Sequence, residues 1–383
     1  MREKTTVGVA AIAVALLAAA PAPAEEWSFD VEPGERLEID LETGGSVEIR
    51  GAGVGAVRIE AAVRGRDAET VRVTSERVEG GVRVESRQTS RRRSTSTDVR
   101  LTIAVPERFD VEIDSMGGDV RIEGLEGRIE GETMGGEVVL RRIRGSVQLS
   151  TMGGEIEVVD ADASGKVSTM GGDVLLKNVR GGLHGSTMGG QVRIEGGDAG
   201  SYRSEGPNRD PRPQSGDVVR ITSMGGAIQV DRAPNGAEVQ TMGGNVRVES
   251  VAKFVSASTM GGDVVIREAD GDVRASTMGG DVTVRVIGAG GDVDLETMSG
   301  TVELELPAGF SGAFDVELEF TKNSRRSYEI RSDFPLAQRR DAEWRYGEGT
   351  PRKSIYGEGT AGGGEHRVKI RAINGDVVIR KGD

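Results

Sequence analysis

The sequence predicts an all-β fold, a parallel β-solenoid resembling a β-helix, built from 18-residue coils of two short strands each. Three observations support this fold class. A methionine followed by two glycines recurs every 18 residues, apolar and polar residues alternate between the recurrences, and a second glycine-containing turn divides each coil. Alternation with a period of two is typical of a strand with one buried face. A fixed period predicts stacked, structurally equivalent units.

The methionine turn is the clearest periodic signal in the chain. Met-Gly-Gly occurs nine times and Met-Ser-Gly ends the series, and Met1 is the one methionine outside it. The interval is 18 residues, except for 36 residues before Met224 and 20 before Met298. The ten turns begin at Met116, Met134, Met152, Met170, Met188, Met224, Met242, Met260, Met278 and Met298.

The unit at residues 259–276 shows how one coil is built. Gly261-Gly262 is expected to provide the positive φ of a tight reversal. Val264 and Ile266 then have strand spacing, and Asp270-Gly271-Asp272 forms the second turn. Stacked units pair each strand with its equivalent one coil away, at about 4.8 Å along the axis. About ten coils would span about 50 Å, and the chirality of parallel crossovers favours right-handed winding.

Other coils repeat the same inward-facing positions. We expect these side chains to be buried: Val120, Ile122, Val138, Leu140, Val147, Leu149, Ile156, Val158, Val246, Val248, Val255, Val282, Val284, Val293 and Leu295. An antiparallel sandwich is the competing all-β fold. It predicts variable strand and loop lengths, which the fixed period contradicts.

The ends of the chain differ from its middle, which gives four segments. Residues 1–24 are predicted to be a signal peptide, and 25–115 an N-terminal β cap without the methionine turn. The regular solenoid covers 116–304, with a polar insertion at about 199–216. Residues 305–383 form an aromatic-rich C-terminal β cap and a closing coil, because a narrow coil interior has little room for large rings.

The N-terminus indicates an exported protein. Arg2 and Lys4 precede the uncharged apolar run 7–20, and Ala22-Pro23-Ala24 offers small residues for cleavage. The alternative is a retained anchor. No later segment is apolar enough to span a bilayer, and the chain has no cysteine for a disulfide, a thiolate or a lipid anchor. The net charge of −13 argues against nucleic acid as a partner.

The chain resembles the bacterial "putative adhesin" family, the domain of unknown function 4097. Three features carry the resemblance: Val105-Pro106 before the first regular coil, Gly-Asp-Val or Gly-Glu-Val turns such as 262–264, and the final run 374–379. The resemblance covers roughly residues 30–381. It implies an extracytoplasmic β-solenoid linked to adhesion or to envelope-stress signalling, and it carries over no catalytic residue.

The sequence contains no catalytic constellation, and we predict no enzyme, cofactor or metal site. His184 and His366 are the only histidines and lie far apart in the repeat. The turn acids recur with the coil, so we expect them to accept hydrogen bonds from backbone N–H groups: Asp119, Glu137, Glu155, Asp173, Asp263 and Asp281. A polysaccharide-active enzyme would need a non-repeating carboxylate pair. Calcium β-rolls need a third glycine that this turn lacks.

The methionine column and the Ser-Thr column each have more than one interpretation. Stacked thioethers are expected to fill the corner of the coil, with an exposed apolar docking strip or Cu(I) capture as the alternatives. The Ser-Thr columns, for example Ser276-Thr277, are expected to be internal hydrogen-bonded stacks, and the alternative is a ladder facing ice or glycan.

The 36-residue interval predicts a coil that is retained with a polar loop projecting from it. Loops on a rigid scaffold often carry recognition, so Tyr202, Arg203, Arg209 and Arg212 are the predicted partner-binding residues. A passive loop is the alternative. The sequence thus predicts a non-enzymatic, exported binding or scaffold protein of the periplasm or cell surface, which binds an envelope protein or a cell-surface glycan. A regulatory module that binds one partner protein is the second hypothesis.

Overall fold

The structure is a computed structural model that describes residues 24–89, 97–196, 218–288, 290–324, 326–346 and 349–382. These residues form 31 strands and one 3-10 turn, Ala68–Thr70. Within the described ranges, no helix has the length and apolar character needed to cross a bilayer. The signal peptide predicted for residues 1–24 falls almost wholly outside them.

The N-terminal strands precede the first methionine turn. They are β1 Glu25–Asp30, β2 Arg36–Leu41, β3 Ser46–Ala52, β4 Ala56–Gly65, β5 Val71–Val78, β6 Gly81–Gln88 and β7 Thr97–Pro106.

The strands of the regular coils alternate between two sheets. Those that lead into a methionine turn form the first sheet: β8 Asp110–Ser115, β10 Glu126–Thr133, β12 Arg144–Thr151, β14 Asp162–Thr169, β16 Leu183–Thr187, β18 Val219–Ser223, β20 Ala237–Thr241 and β24 Val293–Thr297. Those that leave it form the second sheet: β9 Val120–Glu123, β11 Val138–Arg141, β13 Ile156–Val159, β15 Val174–Lys177, β17 Val192–Glu195, β19 Ile228–Ala233, β23 Val282–Val286 and β25 Val302–Pro307. β21 Val246–Thr259 and β22 Val264–Thr277 run through both sheets.

Pairing within each sheet is parallel and in register with the 18-residue period. Val147 pairs with Ile129 one coil before and with Gly165 one coil after, and Val138 pairs in the same way in the second sheet. Among the regular coils, each strand thus pairs with the equivalent strand of a neighbouring coil. The predicted parallel β-solenoid is confirmed.

The core is a continuous apolar column between the two sheets. All fifteen inward positions predicted from the alternation are buried. A third inward position per coil lies at the corner after the short strand, as with the buried side chains of Leu125, Ile143 and Ala161. Alternation along the strands does not indicate this third position, because it falls within a turn.

At both ends the chain doubles back on itself. β2 lies between β6 and β8 in the first sheet, and β3 lies between β7 and β9 in the second. Antiparallel partners then cover the outer side, with β5 on β6 and β4 on β7.

The C-terminal strands repeat this arrangement. They are β26 Gly312–Thr321, β27 Ile330–Ser332, β28 Ala337–Arg340, β29 Arg352–Ala361, β30 His366–Ile373 and β31 Val377–Gly382. β30 pairs with β24 on one side and β26 on the other, and β31 lies between β25 and β27. The predicted closing coil is therefore covered by a further layer, so it does not end the solenoid. A closing coil is expected if strands stack in the order of the chain. Here β30 and β31 lie inside the stack, although they are the last strands of the chain.

Large rings collect in the C-terminal cap, as expected. Phe310 and Phe314 are in edge-to-face contact with centroids 6.3 Å apart, and Phe314 lies 5.2 Å from Phe334. All three are buried. Phe109 is an exception to the expectation, because it is buried at the opposite end, ahead of the first regular coils.

Candidate functional site: the methionine ridge

The ten methionines of the turns stack into one line along the solenoid, which we call the methionine ridge. Each follows a buried Thr or Ser that ends a strand of the first sheet. The amide N–H of Met170 donates to the carbonyl oxygen of Thr151 at 3.2 Å, and Met298 donates to Thr277 at the same distance. Neighbouring methionines are therefore one coil apart, about 4.8 Å along the axis.

The 36-residue interval does not interrupt the ridge. The N–H of Met224 donates to the carbonyl oxygen of Thr187 at 3.3 Å. Gly185 pairs with Ile221, and Val192 pairs with Ile228. The coil that leads into Met224 therefore stacks directly on the coil that leads into Met188. The predicted contact residues, Tyr202, Arg203, Arg209 and Arg212, lie outside the described residues.

The methionine side chains are exposed. Their exposed fractions run from 42% at Met298 to 60% at Met116, and eight of the ten lie between 46% and 50%. Among the described residues, Tyr346 is the one other large apolar side chain that is exposed. The expectation that the thioethers fill a buried corner is wrong. Alternation contained the correct signal, because an inward Thr277 turns Met278 outward.

Buried threonines hold the turns from inside. The hydroxyl of Thr169 donates to the carbonyl oxygen of Gly154 in the preceding coil at 2.8 Å. The hydroxyl oxygen of Thr169 also accepts the N–H of Gly172, in the same turn as Thr169, at 3.2 Å. Thr277 makes the equivalent bonds to Gly262 and Gly280. The threonines thus form an internal hydrogen-bonded stack, as expected, whereas the serines that directly precede some of them, such as Ser276, are only half-buried.

The second glycine of each turn is required by close stacking. A Cβ built on Gly262 would lie 2.3 Å from the carbonyl oxygen of Gly244, whereas one on Gly261 would lie 3.5 Å from that of Gly243. Neither Gly261 nor Gly262 has φ in the left-handed region, so the expected positive φ is wrong for this turn. In the last methionine turn, Ser299 replaces the first glycine and Gly300 keeps the second, as this packing demands.

The turn acids cap backbone groups, but across coils. An Oδ1 atom of Asp263 accepts the N–H of Asp281 at 2.9 Å, and Asp173 accepts the N–H of Gln191 at 2.7 Å. Asn245 does the same for Asp263 at 2.9 Å. The expected capping role is confirmed for Asp119, Asp173, Asp263 and Asp281, with the acceptor and donor 18 or 20 residues apart. It is not confirmed for the two glutamates, and Glu137 instead pairs with Arg121 at 2.8 Å. In the described part of the chain, no three His, Cys, Asp or Glu side chains converge as metal ligands.

A polar groove of about 720 Å³ follows the opposite corner of the coil. Its charged lining comes largely from one column in which signs alternate, since Arg144 pairs in register with Glu126 and Asp162, and Asp162 with Arg180. The acids of this column repeat with the coil and face arginines. We interpret them as opposite charges stacked in neighbouring coils, and not as a catalytic carboxylate pair. Arg108 and Glu126 of this column form an ion pair at 3.5 Å.

The two histidines lie in different surroundings. His184 Nδ1 is 2.7 Å from the carbonyl oxygen of Gly182 in the solenoid. The ring of His366 packs against Phe310 in the C-terminal cap, with centroids 5.6 Å apart.

The fold defines the class of protein: an all-β repeat protein whose coils stack as a parallel solenoid. Within that class, the family model Toastrack DUF4097 matches residues 34–380. The chain therefore belongs to the Toastrack DUF4097 family. The resemblance drawn from its turns and its final strand is confirmed.

Other comparisons add less. No curated protein sequence matches the chain significantly. Among solved structures, the chain is similar to one described as a "putative cell adhesion protein" from Clostridium sporogenes. The two are 10% identical, the match covers 94% of this chain and 100% of the other, and the TM-score is 0.18. At that TM-score, the structural likeness carries no argument about function.

Proposed function

We propose that this chain is a non-enzymatic, exported binding scaffold of the cell envelope, with the methionine ridge as its binding surface. One observation carries the proposal: ten apolar side chains stand half-exposed in a single line on a hydrogen-bonded frame. Monomeric soluble proteins rarely expose long continuous apolar patches unless these contact another molecule. The ridge extends over about 43 Å, given nine steps of about 4.8 Å.

The frame suits binding better than catalysis. A buried Thr or Ser and a close-packed second glycine recur in all ten turns, and an acid follows in six of them, so the ridge offers the same chemical group many times. A repeated surface favours extended or multivalent contacts. Catalysis requires a local group of side chains with distinct roles. Export is supported by the charged and apolar pattern of residues 2–20.

Retention of the purified mature chain on its native envelope fraction tests the proposal. The ridge variant replaces four consecutive methionines with glutamine: Met170→Gln, Met188→Gln, Met224→Gln and Met242→Gln. Glutamine keeps an unbranched chain and removes the apolar end. We expect retention to fall, because the apolar contact is interrupted in the middle of the ridge.

The control changes four residues in one column at the far end of the second sheet, with no change in net charge: Glu123→Gln, Arg141→Gln, Lys177→Gln and Glu195→Gln. Its retention should match that of the unchanged chain. Equal retention of both variants, with native circular dichroism, would overturn the role of the ridge. Release of products from a panel of envelope glycans would overturn the non-enzymatic part.

The second candidate function is a regulatory module that binds one partner protein through the insertion at 199–216. The concentration of Tyr202, Arg203, Arg209 and Arg212 in this polar segment favours it. A chain lacking residues 203–214 separates the candidates. Loss of retention on this deletion, with the ridge intact, would favour the regulatory module over the ridge.

A further inference from the structure

The ridge uses one side chain at every position. All ten positions are methionine, and apart from Met1 the chain has methionine nowhere else. Leucine, isoleucine and valine fill the core repeatedly but never occupy the ridge. If apolar contact were the only requirement, these residues would serve equally. If an unbranched exposed side chain were the only requirement, glutamine or lysine would serve and would be more soluble. The thioether sulfur distinguishes methionine from both the aliphatic and the polar unbranched side chains.

Thioether sulfur is a soft ligand that selects Cu(I) among the biological first-row metals. The three rotatable bonds of methionine let the sulfur of an exposed side chain adjust its position. A metal–sulfur bond is about 2.3 Å long in zinc–thiolate sites, so two sulfurs on opposite sides of one ion are about 4.6 Å apart. The coil spacing of about 4.8 Å matches that separation closely.

The surroundings favour a cation. An acid follows three positions after most ridge methionines, as with Asp173 after Met170 and Asp281 after Met278. The carboxylates of Asp173 and Asp281 are held in place, because each accepts a backbone N–H of the next coil. The chain as a whole carries a net charge of −13, which raises the local concentration of cations.

We propose that the methionine ridge binds soft monovalent metal ions, Cu(I) or Ag(I), each held between the sulfurs of neighbouring coils. The inference rests on the proposed function, because it assigns a ligand to the same surface. Each ion needs two sulfurs from neighbouring coils. Ion binding should therefore depend on which methionines are present together, and not on their number alone.

Two variants with equal numbers of sulfur atoms test this dependence. The alternating variant replaces every second ridge residue with leucine: Met134→Leu, Met170→Leu, Met224→Leu, Met260→Leu and Met298→Leu. The contiguous variant replaces the first five: Met116→Leu, Met134→Leu, Met152→Leu, Met170→Leu and Met188→Leu. Both keep five sulfurs and an apolar ridge, but only the contiguous variant keeps sulfurs in adjacent coils.

Ag(I) titration by calorimetry in chloride-free buffer gives affinity and stoichiometry. Cu(I) competition against a chelator under reducing conditions gives a second affinity. The contiguous variant should bind with nearly the affinity of the unchanged chain. The alternating variant should bind about 100-fold more weakly, because the second sulfur is beyond reach. X-ray absorption of the Cu(I)-loaded chain should show sulfur neighbours.

Equal affinity of the two variants, or no binding by the unchanged chain, would overturn the inference. Norleucine replaces sulfur with CH2 and, in this chain, changes the ridge and Met1 alone. A norleucine-substituted chain should lose ion binding. If it keeps ion binding, the inference is wrong. If it stays on the envelope fraction after ion binding is lost, the ridge is an apolar docking surface and the proposed function stands without the metal.

Discussion

At the scale of single residues, each turn position has a separate physical task. The buried threonine makes hydrogen bonds to backbone groups of the turn, and the methionine after it points outward. The second glycine leaves room for the backbone of the neighbouring coil, and the following Asp or Asn accepts a hydrogen bond from an N–H of the next coil. Repetition in the sequence thus reflects contacts between coils more than contacts within one coil.

The glycine pair gives a sharp prediction. Gly262→Ala should lower the free energy of unfolding by about 3 kcal/mol, because its Cβ would overlap the carbonyl oxygen of Gly244 and force the coils apart. Gly261→Ala is the matched control and should be nearly neutral, since its nearest neighbour would be 3.5 Å away. Urea unfolding of both variants measures the difference. Equal stability would show that close stacking is not the reason for the glycine.

Two substitutions of Asp263 distinguish the contribution of its hydrogen bond from the contribution of its charge. Asp263→Asn should leave the free energy of unfolding almost unchanged, because Asn245 already accepts the equivalent N–H one coil earlier. Asp263→Ala should lower it by about 1–3 kcal/mol, because the N–H of Asp281 loses its acceptor. Thermal or urea unfolding of the two variants checks this. A larger loss for the asparagine variant would mean that charge, and not the N–H acceptor, matters.

At the scale of strands, the sequence predicted most of the structure. Alternation located the inward residues Val264 and Ile266 correctly, and the fixed period set the parallel register. It did not locate the strand order at the ends. β30 lies between β24 and β26 in the sheet, although it comes after both of them in the chain. Alternation reports which face of a strand is buried, whereas neighbours that lie far apart in sequence leave no periodic trace.

The same limit applies to the ridge. Alternation places Met278 outside, but filling a coil corner is an equally physical use of methionine. Only the positions of the backbone and of Thr277 decide between them. The predicted partner-binding residues follow from composition alone and lie outside the described residues, so they stay a prediction: Tyr202, Arg203, Arg209 and Arg212.

The interrupted coil yields a prediction at this scale. Deleting residues 199–216 removes 18 residues and restores the period between Met188 and Met224. The pairs Gly185–Ile221 and Val192–Ile228 should persist. We expect the free energy of unfolding to change by less than about 1 kcal/mol, because shortening a loop alters closure entropy only slightly. Circular dichroism and urea unfolding test it. A loss of cooperative folding would show that the insertion is part of the frame.

At the scale of the whole molecule, the solenoid is a rod with different edges. The interior is apolar apart from the column of buried threonines and serines. One corner carries charges of alternating sign, and the other carries the ten thioethers. Antiparallel strands cover the first sheet at both ends, with β5 on β6 and β29 on β26, and they cover the second sheet at its N-terminal end, with β4 on β7. Further copies therefore cannot simply continue the stack. Recognition then falls to the long edges, where the methionine ridge is the continuous apolar feature.

Native-state oxidation of the methionines tests the central claim most directly. The folded chain is treated with dilute hydrogen peroxide, and the sulfoxide at each position is followed by mass spectrometry after proteolysis. The exposed ridge predicts that all ten sulfurs, from Met116 to Met298, oxidise at similar rates close to that of an unfolded control, while circular dichroism stays unchanged. Strong protection of the ridge relative to that control would contradict the account, because it would place the thioethers inside the coil.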